Sequence, residues 1–134
     1  MKKKGILNSN LSSVVASMGH TDKLVIADSG LPIPRNADLI DLALKTNVPR
    51  FLETLETVLE ELVVEEAIIA AEMEKKNREL YKKVMVLLKG VKIIKVSHDK
   101  FKQINSNGGN ISFVRTGEAT PYANVILISG VNFE

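Results

Sequence analysis

A chain of 134 residues, 45% hydrophobic and 25% charged, has the size and balance of one foldable globular domain spanning 1–134, which sets aside disordered and collagenous classes. Eighteen basic and sixteen acidic residues leave a formal charge of +2, dispersed along the chain, so no nucleic-acid partner is expected. Cysteine is absent, which removes disulfides, thiolate nucleophiles and cysteine-held metals.

The start, Met1-Lys2-Lys3-Lys4, has the charge of a phosphate-binding arm or of a secretion signal. Asn8, Ser9, Asn10, Ser12 and Ser13 break up the apolar stretch that a signal needs next. No apolar run approaches the ~20 residues that span a bilayer, so no membrane partner and a cytoplasmic location are expected. Leu7, Leu11, Val14, Val15 and Met18 have helical spacing, and Gly19 is placed to stop that helix in a left-handed conformation. Leu24-Val25-Ile26-Ala27 reads as a buried strand ending at Asp28, before the turn-rich Ser29-Gly30-Leu31-Pro32-Ile33-Pro34.

Ile40, Leu42 and Leu44 alternate with polar or small residues as a half-buried strand does. A helix opens at Pro49 with Phe51, Leu52, Leu55, Val58, Leu59 and Leu62 as its apolar stripe, and Ala67 to Ala71 reads as a central strand. The next helix carries Glu72 and Glu74 early and Lys82, Lys83 and Lys89 late, in the order the helix dipole favours, and Gly90 closes it. Ile93, Ile94 and Val96 form another strand, Ser97 caps a short helix through Phe101 and Ile104, and Asn107-Gly108-Gly109 is a turn. Closing strands at 111–115 and 124–128 flank the segment 116–122. Alternating helices and strands point to an α/β layered single domain with a mixed central sheet covered by helices on both faces.

Only two histidines occur, and each stands beside a helix terminus. His20 follows the end of the first helix, where unpaired carbonyls suit a charged proton donor. His98 follows the Ser97 cap, where the partial positive charge of a helix start suits a base or acceptor; each effect is about 0.3–1 kcal/mol. Asp28 ends a buried strand, where ligands sit in open α/β sheets, although an Asx-turn capping the Ser29-Gly30 bend explains it as well. Lys102 lies one helical turn beyond His98 and can share its site or simply be a solvated lysine. On a strand, Tyr122 and Asn124 would project from one face, either as a ring and an amide suited to a sugar or as an ordinary strand entry with a packed tyrosine.

Other chemistries lack their parts. There is no GxGxxG, Walker loop, GxSxG elbow or HExxH, and the histidine spacing matches no metal-binding pattern, so neither a cofactor nor a metal is expected.

Gly19-His20-Thr21-Asp22, Ile26-Ala27-Asp28-Ser29-Gly30-Leu31-Pro32-Ile33-Pro34, Arg115-Thr116-Gly117-Glu118 and Thr120-Pro121-Tyr122-Ala123-Asn124 together resemble the D-ribose pyranase family. The opening Lys4-Gly5-Ile6-Leu7-Asn8-Ser9 and the closing Ser129-Gly130-Val131 extend the likeness over nearly the whole chain. Fucose mutarotases share the histidine and aspartate region, but the segment 30–34 is closer to the ribose branch. Ser29 stands where a small apolar residue is expected, and the loop around Asn107 is slightly long for the family.

The resemblance implies an isomerase that interconverts pyranose and furanose rings of D-ribose. His20 would be the proton donor, Asp28, His98, Tyr122 and Asn124 would contact the sugar, and Lys102 would be a further polar neighbour. It also implies a ring-like homo-oligomer, a decamer or octamer, with sites at subunit interfaces. A fucose-type mutarotase, a sugar-binding module tied to ribose transport and a purely structural ring protein are the competing readings.

Overall fold

The computed structural model describes residues 1–133. The chain runs α1 (Ser9–Ser17), β1 (Lys23–Ala27), β2 (Asp38–Asp41), α2 (Phe51–Leu59), β3 (Val64–Ala70), α3 (Ala71–Lys76), α4 (Arg78–Leu87), β4 (Lys92–Val96), α5 (His98–Ser106), β5 (Ile111–Arg115) and β6 (Val125–Ser129). The six strands form one sheet in the order β2-β5-β1-β6-β3-β4. β6 runs antiparallel to both neighbours, β1 and β3, and the other pairings are parallel, so the sheet is mixed as expected.

Strand side chains alternate between two cores. Leu24, Ile26, Ala67, Ile69, Val114, Val125 and Leu127 face the larger one, where Leu11, Phe51, Leu55, Val58, Met73 and Val84 from α1 to α4 cover them. Val25, Ala27, Ile68, Phe113 and Ile126 face the other, under Phe101 of α5 and Leu31 of the loop after β1. Helices therefore cover both faces, and each fully buried large apolar side chain contributes about 1.5–3 kcal/mol.

Several boundaries differ from the sequence expectation. Gly19 does not adopt the left-handed conformation; Thr21 does, with φ 71°. β2 stops at Asp41, and Leu44, which alternation placed on a buried strand face, is 79% exposed. The helix expected from Glu72 to Lys89 is broken at Asn77 (φ −135°, ψ 61°), so that α3 and α4 pack as separate pieces. The last strand begins at Val125, which leaves Tyr122 and Asn124 on the preceding loop. Ser97 caps α5 as expected, its Oγ accepting from the Lys100 N–H at 3.1 Å.

Candidate active site

The carboxyl ends of β1, β3 and β4 lie along one edge of the sheet. Because β6 is antiparallel, the loop that enters it lies at the same edge. Asp28 follows β1 directly. One carboxylate oxygen accepts from the Gly30 N–H at 3.0 Å, forming the Asx-turn, and the other accepts from Asn124 Nδ2 at 3.0 Å. Asn124 Oδ1 in turn accepts from the Asp28 N–H at 2.8 Å. Asn124 is fully buried and spends its amide on fixing Asp28, so the one-face pairing of Tyr122 with Asn124 on a strand does not occur.

Tyr122 is instead turned by a left-handed backbone, φ 66°, and its ring meets His98 edge-on with centroids 5.1 Å apart. The His98 ring also stacks on Phe101 at 6.4 Å, so its orientation is set by packing on two sides. His98 opens α5, and its N–H donates to the Glu72 carboxylate, with both oxygens at 3.1 Å. Its Nδ1 is buried without a hydrogen-bond partner among the described residues.

Asp28, Leu31, Pro32, His98, Glu118 and Tyr122 line a cleft of about 380 Å³, ample for a monosaccharide. A larger hollow of about 560 Å³ lies across Glu118, among Arg50, Lys76 and Lys83, and lacks the histidine, tyrosine and aspartate of the cleft. The smaller cleft is therefore the candidate site.

Glu118 is the residue that sequence reasoning missed as a site group. It is only 3% exposed, and its carboxylate accepts from Arg50 at 3.2 and 2.7 Å, from the Phe51 N–H at 3.0 Å and from the Thr120 hydroxyl at 2.8 Å. Burial works to raise its pKa, but Arg50, the Phe51 N–H and Thr120 outweigh it and hold the carboxyl at about 2. Its carbonyl accepts from the Ser29 N–H at 2.9 Å, and Thr116 bonds the Ala27 carbonyl at 2.7 Å, so the two loops that wall the cleft are tied together. The available signal was an acid inside the block 115–118, whose one neighbouring cation, Arg115, pairs with Asp41 instead.

Lys102 does not line the cleft. Its Nζ lies 3.5 Å from Asp99, over a separate shallow hollow with Gln103, Ser106 and Asn107. His20 is not at the cleft either. It precedes β1 at the opposite edge of the sheet, half-exposed, with Nε2 3.0 Å from both carboxylate oxygens of Glu65. Five strand residues at about 3.3 Å each put roughly 16 Å between the two ends of β1, so one chain cannot set His20 on a sugar held beside its own Asp28. Among the described residues no group of three or more His, Asp or Glu is placed to hold a metal, and no helix is long and apolar enough to cross a membrane.

The family model described as the RbsD / FucU transport protein family matches residues 1–132. A D-ribose pyranase of Coprothermobacter proteolyticus is 53% identical over 133 residues, covering 99% of this chain and all of that protein, and one of Thermoanaerobacter sp. is 54% identical over the same length. The structure of Bacillus subtilis RbsD complexed with D-ribose superposes with a TM-score of 0.92 at 47% identity, covering 99% of this chain and 100% of that one. The fucose mutarotase of Streptococcus pneumoniae, solved with L-fucose, shares the fold at a TM-score of 0.78 and 22% identity, over 95% of each chain. A match from residue 1 to residue 132, with full-length relatives at about half identity, means that this chain belongs to the RbsD / FucU transport protein family.

Proposed function

We infer that this protein is a D-ribose pyranase, an isomerase that interconverts the β-pyranose and β-furanose rings of D-ribose by acid–base ring opening and closure. The observation that carries the reading is the cleft of Asp28, His98 and Tyr122 in a chain about 50% identical, over its full length, to proteins named for that activity.

Opening a cyclic hemiacetal needs a proton delivered to the ring oxygen and another removed from the anomeric hydroxyl. The freed aldehyde chain rotates, a different hydroxyl attacks C1, and the two protons return, so nothing is consumed. His20 is the donor in this reading, and His98, fixed between Phe101 and Tyr122, is the imidazole on the cleft side that accepts. Asp28, held by Gly30 and Asn124, orients the sugar hydroxyls, and the Tyr122 ring gives an apolar face to C–H bonds. Asn124 acts by holding Asp28, and Lys102, one turn past His98, is an outer polar neighbour. Such positioned groups contribute roughly 10²–10⁴ each in rate.

The distance between His20 and the cleft supports a site shared by two copies, in which one chain supplies Asp28, His98 and Tyr122 and its neighbour supplies His20. A closed homo-oligomeric ring, a decamer or octamer, satisfies every site in this way, and a cytoplasmic location suits an enzyme that acts on a free sugar. Saturation-transfer NMR between the ring forms of ribose tests the reading: exchange accelerated by the protein and lost in His20→Ala supports it. Binding of ribose without acceleration would instead identify a sugar-binding module, and preferential acceleration of fucose would move the protein to the mutarotase branch.

A further inference from the structure

His20 stands on a pinned turn. The Gly19 N–H donates to Asp22 Oδ2 at 2.8 Å, the Thr21 N–H to the Ser129 carbonyl at 2.9 Å, and the Ser129 N–H to the Asp22 carbonyl at 2.9 Å. The backbone is thus fixed while the imidazole, about half exposed, has freedom to turn. Its one polar contact among the described residues is Glu65, whose two carboxylate oxygens straddle Nε2 at 3.0 Å.

Glu65 reaches that place through an irregularity in the sheet. β3 pairs with β6 through Val64 with Ser129 and Glu66 with Ile128, so Glu65 is an extra residue at a bulge. Bulges of this kind re-aim a side chain. Gly130 leaves the room: a Cβ there would stand 3.4 Å from Glu65 Cβ and 3.2 Å from Val63 Cγ1. Glu66, the next residue, serves elsewhere, pairing with Lys92 at 3.5 Å.

Building on the reading of His20 as proton donor, we propose that Glu65 is the positioning residue for His20, holding the imidazole through Nε2 so that Nδ1 is the atom that exchanges protons with the sugar ring oxygen. An ionised carboxylate has only lone pairs to offer, so Nε2 carries a proton throughout the cycle. On ring opening, the Nδ1 proton passes to the ring oxygen as its bond to C1 breaks, leaving the neutral Nε2–H imidazole on Glu65. On closure, the attacking hydroxyl returns a proton to Nδ1 as its oxygen bonds C1. Glu65 transfers nothing; it keeps the ring in one orientation.

The test uses the assembled full chain and two readouts. Nitrogen-15 NMR of the imidazole, which needs no turnover, is expected to show a protected proton on Nε2 with and without ribose, and loss of that protection in Glu65→Ala. Ring-exchange kinetics are expected to show kcat about 10- to 100-fold lower in Glu65→Ala with KM for ribose within a factor of about two, and partial recovery in Glu65→Asp. A bare Nε2 in the free protein, unchanged kcat in a folded Glu65→Ala, or a rise in KM alone overturns the proposal. Absence of exchange in the wild-type protein would overturn the isomerase reading instead, and the nitrogen spectra would still decide the Glu65 contact.

Discussion

If each site takes His20 from one chain and Asp28 from another, two variants that are inactive alone should restore activity when their subunits are mixed. His20→Ala removes the donor, and Asp28→Asn removes the carboxylate that Asn124 and Gly30 hold in place, each without emptying a core position. Proton transfer needs an approach of about 2.6–3.2 Å, against the roughly 16 Å that β1 interposes within one chain. A random equal mixture then gives four combinations of neighbours, one of which carries both native groups, so about one quarter of wild-type exchange should return against parents reduced by roughly 10²–10⁴. The assay is saturation-transfer NMR on ribose after co-refolding of the two chains, with each variant refolded alone as control. A scrambled mixture no faster than its parents would show that both groups must be native in one chain, and the shared-site argument would be wrong.

Glu118→Gln should weaken the fold above pH 4.5 and lose its effect in acid. A carboxyl lowered from 4.5 to about 2 on folding contributes stability that is full above its unfolded pKa and disappears as pH falls through the folded value. The contribution is at most about 3 kcal/mol, less the solvent screening at half-exposed Arg50, and denaturant midpoints of the variant and wild type measure it as a difference that shrinks from pH 7 towards pH 3 and below. Gly117→Ala should cost about 1–3 kcal/mol in the same measurement, because the new methyl would stand 2.6 Å from the Val48 carbonyl oxygen and 2.7 Å from its nitrogen. Tyr122→Ala should raise KM for ribose about tenfold or more while folding normally, as it removes the half-buried wall that also holds His98; unchanged KM in exchange kinetics would place the sugar elsewhere.

Strand existence was readable where apolar residues were dense and bounded by turn residues, as in Leu24 to Ala27 before Asp28. Local chemistry also carried the Ser97 cap, because a side chain and the N–H three residues on form a contact that depends on nothing distant. The Asp28–Asn124 pair was not readable, since it joins positions 96 apart and exists only because β6 lies beside β1. The same tertiary dependence hid Glu118, whose buried charge is paired with Arg50, 68 positions away in the sequence. The split at Asn77 escaped because its Nδ2 donates to the Pro121 carbonyl, a partner no local pattern announces.

The placement of β6 explains why these groups converge. In a wholly parallel sheet the residues after the strands gather at one edge and those before them at the other. β6, inserted antiparallel between β1 and β3, brings the residues that precede it, Tyr122 and Asn124, to the edge where β1 and β3 end. By the same reversal Ser129, the last residue of β6, and Gly130 after it meet the turn carrying His20 and the bulge carrying Glu65. One strand thus organises both halves of the proposed site at opposite edges, which a single copy keeps apart. A second copy that laid its His20 edge over the Asp28 edge would complete a site without either half having to move.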